Sequence, residues 1–178
     1  MLRALYAEVA PWSLQVHHAS PLPPSSMSQF TEKFRTVRIG LAGLGNVGMG
    51  VFKNLRKNAG LIKERTGCLL QVEKIVVRSA DKNRGEDVPA AMLTTDWRQL
   101  VSDPRIDVIV ELIGGTTDAF ELVCESLRAK KPVVTGNKAL LAERGQELFK
   151  LAEENHVPIY FEAAVAGEIG RASCRERV

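Results

Sequence analysis

Two adjoining segments decide the predicted fold: Val37-Arg-Ile-Gly-Leu-Ala42 and Gly43-Leu-Gly45-Asn-Val-Gly48. The first is a short apolar run typical of a buried strand, and the second matches the pattern G-x-G-x-x-G at the start of a helix. Gly43 would permit the tight turn out of the strand, Gly45 would let a pyrophosphate approach the backbone, and Gly48 would let the helix pack closely. Since a helix N-terminus offers free N–H groups to anions, these segments predict a dinucleotide-binding turn.

Strands and helices alternate along the rest of the chain. Apolar and β-branched runs predict strands over 37–42, 69–77, 106–113, 133–135 and 157–161, and helical spacing of apolar residues predicts helices over 47–57, 95–101, 118–130 and 139–155. We expect Thr94 or Thr95 to cap the second of these helices. The alternation predicts an α/β fold of the Rossmann type, a doubly wound parallel sheet with helices on both faces.

The distribution of charge is not that of a nucleic-acid-binding protein. The formal net charge is +3, of which residues 1–36 contribute 3 − 2 = +1 and the last eight residues contribute 3 − 1 = +2. The segment between them is neutral, so we expect no nucleic-acid partner. Because no apolar run reaches the ~18 residues of a spanning helix, we expect no membrane partner either.

The three cysteines, Cys68, Cys124 and Cys174, are widely spaced. Their spacing implies neither a disulfide framework nor a metal site, and a cytoplasmic location is the simplest setting. Cys124 falls in an apolar helical pattern, which favours a place in the core over a nucleophilic role.

The first 36 residues differ in character from the rest of the chain. They contain the stretch Pro21-Leu-Pro-Pro-Ser-Ser26 and lack sustained periodicity. We interpret 1–36 as a disordered extension, or as an extension of which 1–26 are upstream sequence translated in error and Met27 is the true start. The predicted nucleotide-binding domain covers 37–169.

Arg78 occupies the position that distinguishes the two nicotinamide dinucleotides. The second predicted strand ends in Val76-Val-Arg78-Ser79, where NAD-specific sites place an acidic residue that binds the ribose 2′-hydroxyl. An arginine suits the 2′-phosphate of NADP, so we predict NADP, with NAD as the alternative. The spacing from Gly43, 78 − 43 = 35 residues, exceeds the usual ~20 because a helix-and-loop segment intervenes around 58–67.

Two further polar segments come directly after predicted strands. Gly114-Gly-Thr-Thr117 comes after the third strand, and Thr135-Gly-Asn-Lys138 comes after the fourth. The carboxyl ends of parallel strands meet at one edge of the sheet, which is the ligand side of open α/β folds. We therefore predict that Lys138 faces a bound ligand.

A resemblance to a known family is carried by Val37–Gly48, Glu111-Leu-Ile-Gly-Gly115, Val133-Val-Thr-Gly-Asn-Lys-Ala-Leu-Leu141 and Tyr160-Phe-Glu-Ala-Ala-Val-Ala-Gly167. Over 37–169 the chain resembles homoserine dehydrogenase. The resemblance implies an oxidoreductase that interconverts L-homoserine and L-aspartate 4-semialdehyde with NAD(P), in the biosynthesis of threonine, methionine and isoleucine. It also implies that the parent enzyme is a homo-oligomer and that its substrate domain is missing from this chain.

The resemblance assigns residues by position. It places the dinucleotide on Gly43, Leu44, Gly45, Asn46, Val47 and Gly48. It places the nicotinamide ribose near Thr116, and it places Lys138 where cofactor and small-molecule substrate meet. A sodium ion would be bound by Glu162, with backbone oxygens from Val165, Gly167 and Ile169.

The sequence departs from the family in two places. Gly136 stands where the family commonly has alanine, and after Gly167 the apolar pattern gives way to a charged segment. We interpret 170–178 as a non-native tail. The catalytic lysine and aspartate of the family are expected downstream, so we expect this chain to bind nucleotide weakly and not to turn over substrate.

Two other interpretations fit the glycine turn alone. One is a different Rossmann oxidoreductase, such as a relative of aspartate dehydrogenase or dihydrodipicolinate reductase. The other is a non-enzymatic nucleotide-binding module. The motifs at Asn137-Lys138 and 162–167 favour homoserine dehydrogenase over both.

Overall fold

The computed structural model describes residues 34–79 and 88–161. The strands are β1 Arg35–Ala42, β2 Cys68–Val76, β3 Leu93–Thr94, β4 Val108–Glu111, β5 Val133–Thr135 and β6 Ile159–Tyr160. The helices are α1 Asn46–Lys57, α2 Ala59–Thr66, α3 Arg98–Ser102, α4 Thr117–Arg128 and α5 Lys138–Asn155. Of the segment 1–36 interpreted as an extension, 1–33 lie outside the described residues, as do 162–178, whereas Arg35 and Thr36 already belong to β1. The strand begins two residues before its predicted start, so the predicted boundary at 36 is wrong.

The six strands form one sheet in the order β3-β2-β1-β4-β5-β6, and every neighbouring pair is parallel. The chain starts in the middle of the sheet, winds outward to β3, crosses to β4 and continues outward to β6. The order therefore reverses between β1 and β4, which opens a crevice at the carboxyl ends of these two strands. This topology confirms the predicted doubly wound parallel sheet.

The sheet is covered on both faces. Successive residues of β1 point to opposite sides, because side chains alternate along a strand. Leu41 packs in one apolar cluster with Phe52 of α1, whereas Ala42 packs in another with Leu122 of α4 and Leu148 of α5. Each of these five residues is at most 2% exposed, so both faces of the sheet are covered by buried apolar clusters.

Cys124 meets a further expectation. Cys124 is buried in the cluster beneath α4 and α5, and this burial raises the pKa of its thiol. Its predicted place in the core is confirmed. In the part of the chain that the structure describes, no helix is both long enough and apolar enough to cross a membrane.

The predicted cap of α3 is wrong. Thr94 belongs to β3, a two-residue edge strand paired with β2 that the sequence did not predict. The N-cap of α3 is Trp97, which has no capping side-chain bond. The Thr94 hydroxyl instead accepts a hydrogen bond from Asp96 N at 3.2 Å, and Asp96 Oδ1 accepts one from Arg98 N at 3.0 Å. Local side-chain bonds therefore turn the chain between β3 and α3.

Polar contacts hold the amino edge of the sheet, ahead of β4 and β5. Arg105 lies 2.8 Å from Asp103 and 2.7 Å from Glu73, and its hydrogen bond lowers the pKa of Asp103 to about 2. The buried Lys131 ammonium donates to the carbonyl oxygens of Leu100 at 3.2 Å and Asp103 at 2.5 Å. This edge is opposite the glycine turn.

Candidate functional site

Gly43 and Gly48 are required by the packing of the chain itself. Gly43 has a positive φ of 101°, and a Cβ there would lie 2.5 Å from the carbonyl oxygen of Leu112. A Cβ on Gly48 would collide with the carbonyl oxygen of Gly43. Both obstacles are backbone atoms, which a rotamer change cannot move away. The turn can therefore bring α1 against β1 only with glycine at these two positions.

Gly45 is different, because the chain itself does not require glycine there. Its φ of −77° is accessible to any residue, and apart from its own chain neighbours no heavy atom of the described residues lies within 4 Å of the place a Cβ would take. Gly45 is exposed and is the N-cap of α1. The open space in front of it is a cradle that a side chain would fill.

The N-terminus of α1 is open to an anion. Gly45 carries no capping side chain, and none of the residues in the first turn of α1 is acidic. The first helical hydrogen bond runs from Met49 N to Gly45 O at 2.8 Å. The N–H groups ahead of it, together with the helix dipole, favour a phosphate at this position.

Three other residues predicted to bind the dinucleotide are neighbours of Gly45 in the sequence, and a fourth follows β2. Leu44 packs against the α1 side of the core, while Asn46 and Val47 are exposed, Val47 by 65%. An apolar side chain this exposed is free to contact a ligand. Arg78 is also exposed and lies two residues beyond the end of β2, at the same carboxyl edge.

The loop 112–116 faces the glycine turn from β4. Leu112 N donates to Ala42 O at 2.7 Å, which ties this loop to the end of β1. Gly114 and Gly115 have consecutive positive φ values of 71° and 74°, a conformation that favours glycine. Thr116 follows them as the N-cap of α4, without a capping side-chain bond.

Lys138 is the first residue of α5 and is exposed. The preceding residue, Asn137, caps this helix by accepting a hydrogen bond from Leu140 N at 3.1 Å. Because β5 neighbours β4 and β4 neighbours β1, the residue after β5 lies at the same edge as Gly45. The structure thus brings the glycine turn, Thr116 and Lys138 to one rim, as the sequence predicted.

Glu111 was not among the residues that the sequence predicted for the site. Glu111 ends β4, is 0% exposed, and accepts hydrogen bonds from Thr135 Oγ1 at 2.5 Å and Ile113 N at 3.0 Å. The Asn137 Nδ2 atom lies 3.5 Å from the same carboxyl group. A charged residue closing an apolar strand, with two glycines shortly after it, was the available signal.

The predicted sodium ligands, Glu162, Val165, Gly167 and Ile169, lie outside the described residues. Within 34–79 and 88–161, no group of three or more histidine, cysteine, aspartate or glutamate side chains could hold a metal ion.

The strand order and the glycine turn define a Rossmann-type nucleotide-binding domain. Residues 43–162 match the family model described as the NAD-binding domain of homoserine dehydrogenase, and the chain belongs to this family of oxidoreductases. This membership decides against the alternative families that share only the glycine turn.

Individual proteins that are similar in sequence or structure support the same assignment. The homoserine dehydrogenase of Bacillus subtilis is 42% identical over 135 residues, which are 76% of this chain and 31% of that protein. That of Pseudomonas aeruginosa is 45% identical over 135 residues, with the same shares of 76% and 31%. The crystal structure of the Staphylococcus aureus enzyme gives a TM-score of 0.70 at 36% identity and covers 74% of this chain and 33% of that one. The chain spans about a third of the length of the relatives it matches.

Proposed function

We propose that this chain binds a nicotinamide dinucleotide across the crevice between β1 and β4, with the pyrophosphate at the N-terminus of α1. The observation that carries the proposal is the cradle at Gly45, where glycine is present but is not required by the fold. A pyrophosphate there would contact the backbone N–H groups of Asn46 and Val47, and Leu44 would flank it. The nicotinamide ribose would lie near Thr116, because the loop 112–116 follows β4, on the other side of the crevice from the glycine turn that follows β1.

The bound dinucleotide supplies hydride transfer, and the residues of this chain hold and orient it. Lys138 would contribute its ammonium group where the nicotinamide half meets the substrate. For the parent protein we propose the interconversion of L-homoserine and L-aspartate 4-semialdehyde in threonine, methionine and isoleucine biosynthesis, in the cytoplasm and as a homo-oligomer. We propose that the residues that transfer the proton lie beyond the matched region 43–162. We also propose a sodium site in which Glu162 binds the ion together with backbone oxygens of Val165, Gly167 and Ile169.

We further propose NADP as the preferred dinucleotide, because Arg78 is exposed at the end of β2. Arg78→Ala is expected to weaken NADPH binding about tenfold and to leave NADH binding unchanged, since only NADPH carries the 2′-phosphate that the guanidinium would bind. Fluorescence titration of the 178-residue chain with each nucleotide measures both affinities.

Arg128→Ala is the matched control, because Arg128 is also an exposed arginine and ends α4 on the amino side of β5. It should change neither affinity. An NADPH affinity that is insensitive to Arg78→Ala would contradict the NADP preference, and a chain that binds neither nucleotide would contradict the proposed function.

A further inference from the structure

Three donors converge on the buried carboxyl group of Glu111. They are the Thr135 hydroxyl at 2.5 Å, the Ile113 backbone N–H at 3.0 Å and the Asn137 amide at 3.5 Å. Burying a carboxylate is costly unless its oxygens accept hydrogen bonds, and here both oxygens do. The backbone ladder between β4 and β5 already pairs these strands, so pairing alone does not call for a carboxylate at this position.

Asn137 extends this network to the two segments that form the far side of the crevice. Its Nδ2 donates to Gly115 O at 2.7 Å, and its Oδ1 accepts from Leu140 N at 3.1 Å. Its backbone N–H donates to Thr135 Oγ1 at 3.1 Å. One side chain therefore binds the loop that carries Thr116 and caps the helix that Lys138 begins.

We infer that Glu111 is a positioning residue that fixes the loop 112–116 and the start of α5 relative to each other, and so shapes the half of the site that receives the nicotinamide. The inference rests on the proposed function. None of these bonds involves the glycine turn or Arg78, so we expect the adenine half of the site to depend on Glu111 less than the nicotinamide half does. Buried polar networks of this kind restrict conformation when every member is satisfied.

Glu111→Gln tests the inference with no change of size. One carboxyl oxygen becomes an NH₂ group, so the side chain can no longer accept at both positions, and either the Thr135 hydroxyl or the Ile113 N–H loses its acceptor. We expect NADPH affinity to fall about tenfold while the affinity for 2′,5′-ADP, which lacks the nicotinamide half, stays unchanged. Titration calorimetry of the 178-residue chain with both ligands gives the two affinities.

Asn137→Asp is a second variant that preserves the helix cap, since aspartate caps as well as asparagine does. It places an acceptor opposite the Glu111 carboxyl group and Gly115 O, so the same selective loss of NADPH affinity is expected. Asp103→Asn is the matched control for Glu111→Gln. It makes the same carboxylate-to-amide change at the opposite edge of the sheet, and the affinities for NADPH and 2′,5′-ADP should both stay at the wild-type value.

The possible outcomes distinguish a role of Glu111 in positioning the nicotinamide half of the site from a role in the stability of the whole domain. An equal loss of both affinities, no loss of either, or failure of both variants to fold would overturn the inference, because each assigns the network to something other than the nicotinamide half. A wild-type chain that binds neither ligand would instead refute the proposed function itself, and the inference would fall with it.

Discussion

Gly48→Ala is expected to destabilise the domain by about 3 kcal/mol, near the upper end for an overpacked position. The new Cβ would collide with the carbonyl oxygen of Gly43, which is itself fixed by its positive φ and by the hydrogen bond from Gly43 N to Val76 O at 3.0 Å. Relief requires α1 to move away from the turn, and this would open the core around Phe52. Urea denaturation followed by circular dichroism measures the loss.

Gly50→Ala provides a control in the same helix. Gly50 is exposed, and a Cβ there would meet no heavy atom of the described chain within 4 Å. Alanine is the better helix former, so this variant should be more stable than the wild type by up to about 1 kcal/mol. If both variants changed stability by the same amount and in the same direction, the close approach of α1 to the turn would not be the cause.

Gly45→Val is expected to weaken NADPH binding at least about 100-fold while it changes the free energy of unfolding by no more than about 1 kcal/mol. The valine side chain would fill the cradle in front of α1, where the backbone must meet the pyrophosphate, yet it would contact nothing in the described chain. The small stability cost reflects the poor capping of valine. Titration calorimetry and urea denaturation on the same preparation give both numbers.

Gly60→Val is the corresponding control for binding. Gly60 in α2 is also exposed, and a Cβ on it would likewise meet no heavy atom of the described residues within 4 Å. Its NADPH affinity should equal that of the wild type. A Gly45→Val chain that still binds NADPH as tightly as the Gly60→Val chain would remove the main support for the proposed function.

The pattern of apolar residues was sufficient to predict five of the six described strands and four of the five described α-helices. β5 has its predicted bounds, α5 begins one residue earlier than predicted, and α1 also begins one residue earlier. β4 is shorter than the predicted 106–113, because Leu112 and Ile113 leave the ladder for the loop that approaches the glycine turn. Apolar residues of a loop that lines a crevice cannot be distinguished by residue type from apolar residues of a buried strand, so the predicted strand was too long.

The sequence could not predict β3 or the role of Glu111. β3 has only two residues, and its place is set by pairing with β2 rather than by any local pattern. Glu111 depends on donors 2, 24 and 26 residues away, which meet only in the folded sheet. The glycine turn could be predicted because the task of each glycine is local, although only the structure separates Gly45 from the two glycines that packing requires.

The central claim, that a nicotinamide dinucleotide lies across the carboxyl ends of β1, β4 and β5, is tested most directly by mapping backbone amide resonances during a titration of the ¹⁵N-labelled chain with NADP⁺. The largest shifts should fall on residues 43–48, 112–117 and 136–138, and the amides around Asp103 and Lys131 at the opposite edge should not move. Shifts concentrated at that opposite edge, or a spectrum unchanged at saturating nucleotide, would contradict the account.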